Sequence, residues 1–148
     1  MQVRDILRIK GNTLYTVTPE TSILEAVDIM AEHDIGSLVV MDKGTLVGVV
    51  TFKEVLSNLH DNRGQLSQGV AADVMDKQPL LAEISWEVEE LRRRMLERHA
   101  RYLPVMDGTL LMGVISFHDV AKAVMEMQAF ENKMLKSYIR DWPAESSH

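Results

Sequence analysis

The segment Gly48-Val49-Val50-Thr51-Phe52-Lys53-Glu54 returns 65 positions later as Gly113-Val114-Ile115-Ser116-Phe117-His118-Asp119. No other feature restricts the fold as much, because the match runs upstream as well. At the same offset Met30 meets Met95, Glu32 meets Glu97, Leu38 meets Leu103, and Val40, Met41 and Asp42 meet Val105, Met106 and Asp107. Each copy closes an apolar run on a hydroxyl and sets a carboxylate three residues later, in the first turn of an expected helix. Two readings stand for these pairs. Thr51 and Ser116 serve as N-caps, with Glu54 and Asp119 as helix N-terminal acids stabilised by the dipole, or each corner reads a small polar ligand with its hydroxyl and anion.

The elements follow from local pattern. Val3, Ile6 and Leu7 make a short amphipathic lead-in, broken at Gly11-Asn12-Thr13. Leu14-Tyr15-Thr16-Val17 is a β-type run halted by Pro19, and Ser22 with Glu25 three residues on predicts a helix start. That helix should bury Ile23, Ala26, Val27 and Met30. Residues 37–41 and 46–51 are predicted strands joined by the turn Asp42-Lys43-Gly44, and a helix follows over 52–59. The polar stretch 60–68, carrying Gly64, divides the halves.

In the second half, residues 70–75 repeat the lead-in after a gap three residues shorter, and residues 80–82 replace the first strand. Ser85 reads as the N-cap of a helix burying Val88, Leu91 and Met95. Asp107-Gly108-Thr109 closes the second hairpin. Val120, Val124, Met127, Met134 and Tyr138 recur at helical spacing with no Gly or Pro before Pro143, which predicts a last helix over 117–140. At 1.5 Å per residue it is some 36 Å long, more than half of so small a domain covers, so its apolar stripe is expected to pack partly on another chain.

Composition narrows the function classes. A chain of 148 residues buries enough surface to fold without staples, and one packed core is expected. The formal net charge of -6 argues against nucleic-acid binding, which needs a clustered basic surface. Arg92-Arg93-Arg94 lies among acids, with Glu89 to Arg93 and Glu90 to Arg94 at pairing distance on a helix. There is no cysteine, and no apolar run approaches the ~18 residues of a membrane span. Arg4 and Asp5 occupy the place of a signal peptide's apolar core, so a cytoplasmic location is the default. The five histidines show no metal-ligand spacing, the ten methionines fit core filling, and Trp86 and Trp142 read as packing residues.

With Thr16-Val17-Thr18-Pro19, Leu103-Pro104-Val105-Met106-Asp107 and the two corner motifs in place, the chain resembles a tandem pair of CBS domains, or Bateman module, over residues 3 to 127. Its C-terminal extension is similar to that of free-standing bacterial CBS-pair proteins. The resemblance implies an α+β fold: two β-α-β-β-α repeats, 1–62 and 68–127, packed about a pseudo-twofold axis, with an extended C-terminal helix and tail over 128–148. It implies ligand clefts between the repeats and a homodimer. Such modules bind AMP, ADP, ATP, NAD(H) or S-adenosylmethionine.

Carried over by position, the resemblance makes Asp119 the carboxylate for both ribose hydroxyls and Ser116 a ribose or phosphate contact, with Glu54 and Thr51 their counterparts. Arg101 stands as a phosphate contact or a surface charge. Ile35, with Gly36 beside it, and Ala100 flank the adenine. Asn12 to Thr18 and the stretch through Leu80 read its edge with backbone groups. Pro104 cannot donate to a ladder, which favours an edge strand or a strand opening onto a cleft, and Gly48 and Gly113 mark a close approach within strands.

Glutamate at 54 puts the first corner in doubt, since its extra methylene displaces the carboxylate. The cleft joining Asp119 to the first repeat's early strand is expected to be the intact one. Three hypotheses follow. The first is a regulatory module sensing an adenine nucleotide and signalling through its dimer to a regulated protein. The second is a dimerisation or interaction module with vestigial clefts. The third, a nucleotide hydrolase, lacks a second acid near Asp119, a phosphate loop and a metal cluster, so no catalytic residue, catalytic cofactor or metal is assigned.

Overall fold

The computed structural model describes residues 1–11 and 14–140. Asn12, Trp142, Pro143 and His148 therefore lie outside the described residues. The element order is α1 (Val3–Lys10), β1 (Thr16–Val17), α2 (Ile23–Glu32), β2 (Ser37–Asp42), β3 (Thr45–Thr51), α3 (Phe52–Asp61), α4 (Ala71–Val74), β4 (Ala82–Glu83), α5 (Val88–Arg98), β5 (Tyr102–Asp107), β6 (Leu110–Ser116) and α6 (Phe117–Arg140). Two three-stranded sheets form, ordered β1-β2-β3 and β4-β5-β6, each with a parallel and an antiparallel pair. This is the expected α+β duplication with its long last helix. Among the described residues no helix is long and apolar enough to cross a membrane.

Local signals explain most boundaries. Ser22 accepts the Glu25 N–H at 3.0 Å and starts α2, which buries Ile23, Ala26 and Met30 on one face. Lys43 and Gly44 both take positive φ, the backbone that a tight hairpin needs. The predicted cap at Ser85 is corrected. Helix α5 begins at Val88 with Glu87 as N-cap, because residues ahead of it are held by the lead-in: Glu87 bridges Gln2 and the Trp86 carbonyl accepts the Val3 N–H. Of the predicted ion pairs, Glu90–Arg94 forms at 2.7 Å, while Glu89 instead lies 3.7 Å from Arg92. Strand β4 covers 82–83 where 80–82 was expected, starting two residues later and ending one later. In the first repeat Thr16 pairs Val39; the equivalent partner in the second is Pro104, which offers no N–H to a ladder.

The expectation of one core is also corrected, since two clusters form. Val17, Ala26, Met30, Leu38, Val40 and Val50 build one, and Leu91, Met95, Leu103, Val105 and Ile115 lead the other. Each three-stranded sheet covers its inner face with its own long helix, which leaves two separate interiors. The lead-ins then cross over. Val3, Ile6 and Leu7 of α1 are buried in the second repeat's core, and Ala71 of α4 is buried in the first's.

Matched backbone bonds fix this exchange. Val3 donates to the Trp86 carbonyl as Ala71 does to that of Thr21, and Arg4 donates to Ile84 as Ala72 does to Pro19. Asp5 and Asp73 cap the lead-ins alike, accepting the Gln2 N–H at 2.8 Å and the Val70 N–H at 2.9 Å. Each repeat thus completes the other's interior, which holds the halves face to face.

Candidate functional site

The ends of α2 and α5 place the site. Each helix closes on a non-glycine residue at φ 51°, Asp34 and His99, and the next N–H reaches back five residues: Ile35 to the Met30 carbonyl at 3.0 Å, Ala100 to the Met95 carbonyl at 2.9 Å. This helix-terminating bond turns the chain sharply into the following strand. It occurs in both repeats, and Ile35 and Ala100 line one cleft.

That cleft has a volume of about 660 Å³. Leu14 and Tyr15 enter it from the approach to β1, Asp34 to Ser37 from the end of α2, and His99 to Tyr102 from the end of α5. Val114, Ser116, Phe117 and His118 close it from the corner of β6 and α6, with Lys10 at its edge. Tyr15 stacks on His33 at 4.2 Å between ring centroids, and Tyr102 meets Phe52 edge to face at 6.4 Å. Gly36 is required here, since a Cβ at 36 would overlap the Tyr102 hydroxyl. A tyrosine from one repeat therefore packs on bare backbone of the other.

At the second corner Asp119 accepts the Ser116 N–H at 2.9 Å on Oδ2, and Ser116 Oγ accepts the Asp119 N–H at 3.1 Å. This reciprocal box starts α6. The same Oδ2 accepts the Lys10 ammonium at 2.6 Å, and that ammonium also donates to the Val114 carbonyl at 2.6 Å. Burial opposes ionisation of Asp119; the bonds from Lys10 and Ser116 outweigh it and hold the carboxyl below the usual carboxylate range. Asp119 lines a neighbouring cavity of about 230 Å³, and Lys10 and His118 border both spaces.

Of the residues singled out in the sequence, Ile35, Gly36, Ala100, Arg101 and Ser116 share the larger cleft with Leu14 and Tyr15 of the stretch 12–18, and Asp119 sits next to it through Lys10. Thr18, Thr51, Glu54, Leu80 and Pro104 do not line it. Glu54 takes the Thr51 N–H at 2.7 Å and the Thr51 hydroxyl at 2.8 Å, both on Oε1, while Thr51 Oγ1 accepts the Lys53 N–H. Thr18 forms a turn with Thr21, and Leu80 packs on the second core. Pro104 is in the central strand β5 and not at an edge; pairing with β4 begins only at Val105, so position 104 has a neighbouring strand on one side alone.

Gly48 and Gly113 do face close approaches, but of the chain itself. A Cβ at 48 would stand 2.9 Å from the Asp76 carbonyl and one at 113 would stand 3.0 Å from Leu7 Cδ2. Lys10, Tyr102 and His118 were missed, and for Tyr15 the stretch was expected but not the side chain. Tyr102 had a usable signal, an aromatic at the position where the first repeat has Ser37; Lys10 had none. Among the described residues no group of His, Asp and Glu is placed to hold a metal ion.

A family model described as CBS domain matches residues 3–61 and again 70–126. The Arabidopsis thaliana protein CBSX3, a mitochondrial CBS domain-containing protein, is 26% identical over 148 residues, covering 93% of this chain and 71% of its own. A solved protein with CBS domains from Burkholderia ambifaria superposes with a TM-score of 0.79 at 31% identity, over 85% of this chain and 95% of its own. CBSX2, solved in complex with AMP, gives 0.72 at 30% identity, over 86% and 98%.

Proposed function

The chain belongs to the CBS domain family, as a tandem pair, and on that premise we propose that it is a regulatory module binding an adenine nucleotide in the larger cleft between its repeats. The cleft carries this reading. Its volume falls in the range of small-molecule sites, both repeats wall it, and it joins apolar Ile35 and Ala100 to a hydroxyl and a nearby carboxylate. The AMP held by CBSX2 supports the same ligand class.

In this reading Ile35 and Ala100 flank the adenine. Asp119, an acceptor with room for two adjacent donors, takes the ribose hydroxyls with Ser116, and Arg101 takes phosphate. The module acts by binding and not by turnover. At the first corner a specific observation favours a vestigial site: Glu54 is closed onto Thr51, and the Asp76 backbone pairs with Val49 along the strand edge.

Signalling to a partner protein would pass through a homodimer built on α6. That helix buries only Val120 and Ala123, near its start, whereas Met125, Phe130, Met134 and Leu135 are each more than half exposed. Sedimentation velocity should find a dimer, and Phe130→Glu should give a monomer; a monomeric unsubstituted chain removes this route.

A thermal-shift series with AMP, ADP, ATP, NAD, NADH and S-adenosylmethionine at about 1 mM tests the ligand class. A ligand at 100 times its dissociation constant adds about 2.7 kcal/mol of stability, a shift of several degrees. A shift with at least one adenine nucleotide is expected. None with any, once mass spectrometry has found no carried-over ligand, leaves the interaction module as the function.

A further inference from the structure

Lys10 stands at the junction of the two cavities, and the roles just proposed leave it unused. Its side chain is 33% exposed and that of Asp119 is 19% exposed, so the pair is partly desolvated. Withdrawing the carboxylate leaves the ammonium with the Val114 carbonyl and water, and a second anion restores the charge-assisted bond. The oxygen that Lys10 holds, Oδ2, is also fixed by the Ser116 N–H at the helix start, so the carboxylate is not free to turn toward a ligand without consequence.

This geometry treats charged and uncharged ligands differently. Two ribose hydroxyls seated one on each carboxylate oxygen need Oδ2 and displace the ammonium from it; with a neutral nucleoside the ammonium then keeps only the Val114 carbonyl. A nucleotide brings an anion of its own, and a lysine on a four-carbon stem with three rotatable donors can move to meet it. We propose that Lys10 is a charge-exchange latch, releasing Asp119 when a ligand phosphate replaces the carboxylate as its partner, and so makes the cleft select phosphorylated adenosine over adenosine.

The inference rests on the nucleotide reading of the cleft. The first repeat shows that the latch is local to one corner. The position matching Lys10 is Gln78, the carbonyl matching that of Val114 is Val49's and already accepts the Asp76 N–H at 2.9 Å, and Glu54 bonds to Thr51. No ammonium takes part in any of these contacts.

Isothermal titration calorimetry with AMP and adenosine, on the full chain and on Lys10→Met and Lys10→Arg, tests the latch. The unsubstituted chain should prefer AMP. Lys10→Met should lose AMP affinity by about 10- to 100-fold, the worth of one hydrogen bond to a charged group, while adenosine binds as well as before or better. Lys10→Arg keeps the charge and should keep the preference. Parallel losses for both ligands in Lys10→Met, or an unchanged preference, overturn the latch and leave Lys10 a structural partner of Asp119. Failure of the unsubstituted chain to bind any adenine nucleotide overturns the nucleotide reading and the latch with it, so the two failures are told apart.

Discussion

At the first strand-to-helix corner Glu54 curls back and takes both the N–H and the hydroxyl of Thr51; at the second, Asp119 takes the Ser116 N–H and the Lys10 ammonium. At the first corner the Thr51 hydroxyl donates to the acid and accepts the Lys53 N–H, so the motif bonds only within itself. At the second, Ser116 Oγ accepts the Asp119 N–H, and Oδ2 holds both the Ser116 N–H and a cation from outside the motif. A duplicated motif has thus become a cap closed on itself in one copy and a cap that also holds a distant ammonium in the other.

Substituting the two acids one at a time is the sharpest way to break this comparison. Asp119→Ala removes charge-assisted bonds to ribose and should lower AMP affinity by about 100-fold or more. Glu54→Ala should stay within about threefold of the unsubstituted chain, an effect below 1 kcal/mol. Calorimetry gives the affinities and far-ultraviolet circular dichroism checks that both variants fold. Equal losses would mean that the first corner also meets ligand.

The two strand glycines test the same asymmetry in the packing. A Cβ at 48 meets the Met75 sulfur at 2.6 Å and the Asp76 carbonyl at 2.9 Å, and a backbone carbonyl paired to β3 cannot step aside. A Cβ at 113 meets only the end of the Leu7 side chain, at 3.0 Å. Gly48→Ala should cost about 1–3 kcal/mol in denaturant unfolding, the usual range for overpacking. Gly113→Ala should cost under about 1 kcal/mol, partly offset by the entropy that alanine removes from the unfolded chain. Similar losses would show that both strand edges are equally covered.

How much of this was legible depended on whether a feature is local. Hairpin turns, the Ser22 cap and the unbroken spacing behind α6 are carried by neighbouring residues, and the predicted start of the last helix at 117 is where it begins. Glu87 shows where local preference misleads. Serine is the better capping residue, yet the offset that aligns the halves carries Ser22 onto Glu87, and the chain obeys the repeat because Gln2 bridges that position. Which core a lead-in enters is not local at all: α1 is amphipathic whichever repeat it covers, and only the assembled pair decides. Lys10 is the extreme case. A lysine in the last turn of a helix reads as a partner of the dipole, and its actual partner lies 109 residues away. The corner motif pointed to Asp119; nothing in its neighbourhood pointed to the cation it holds.

The smallest expected effect separates the corners by pH. The Asp119 carboxyl titrates below its ordinary value of 3.8 in the folded chain. An acid with a depressed folded pKa adds stability that is fully present above the unfolded value and is lost as pH falls through the folded one. Asp119→Asn keeps the shape and a capping oxygen but cannot pair as an anion with Lys10. At neutral pH the unsubstituted chain should therefore be the more stable by under about 1 kcal/mol, as is usual for ion pairs open to water. Once the carboxylate protonates it resembles the amide, so the gap should close at pH values beneath 3.8. Denaturant midpoints measured from pH 7 downward follow that gap. A gap that stays constant with pH would mean that the second corner, like the first, is a helix cap whose charge adds nothing to folding, and Lys10 would lose its claim to be a partner that ligand phosphate must replace.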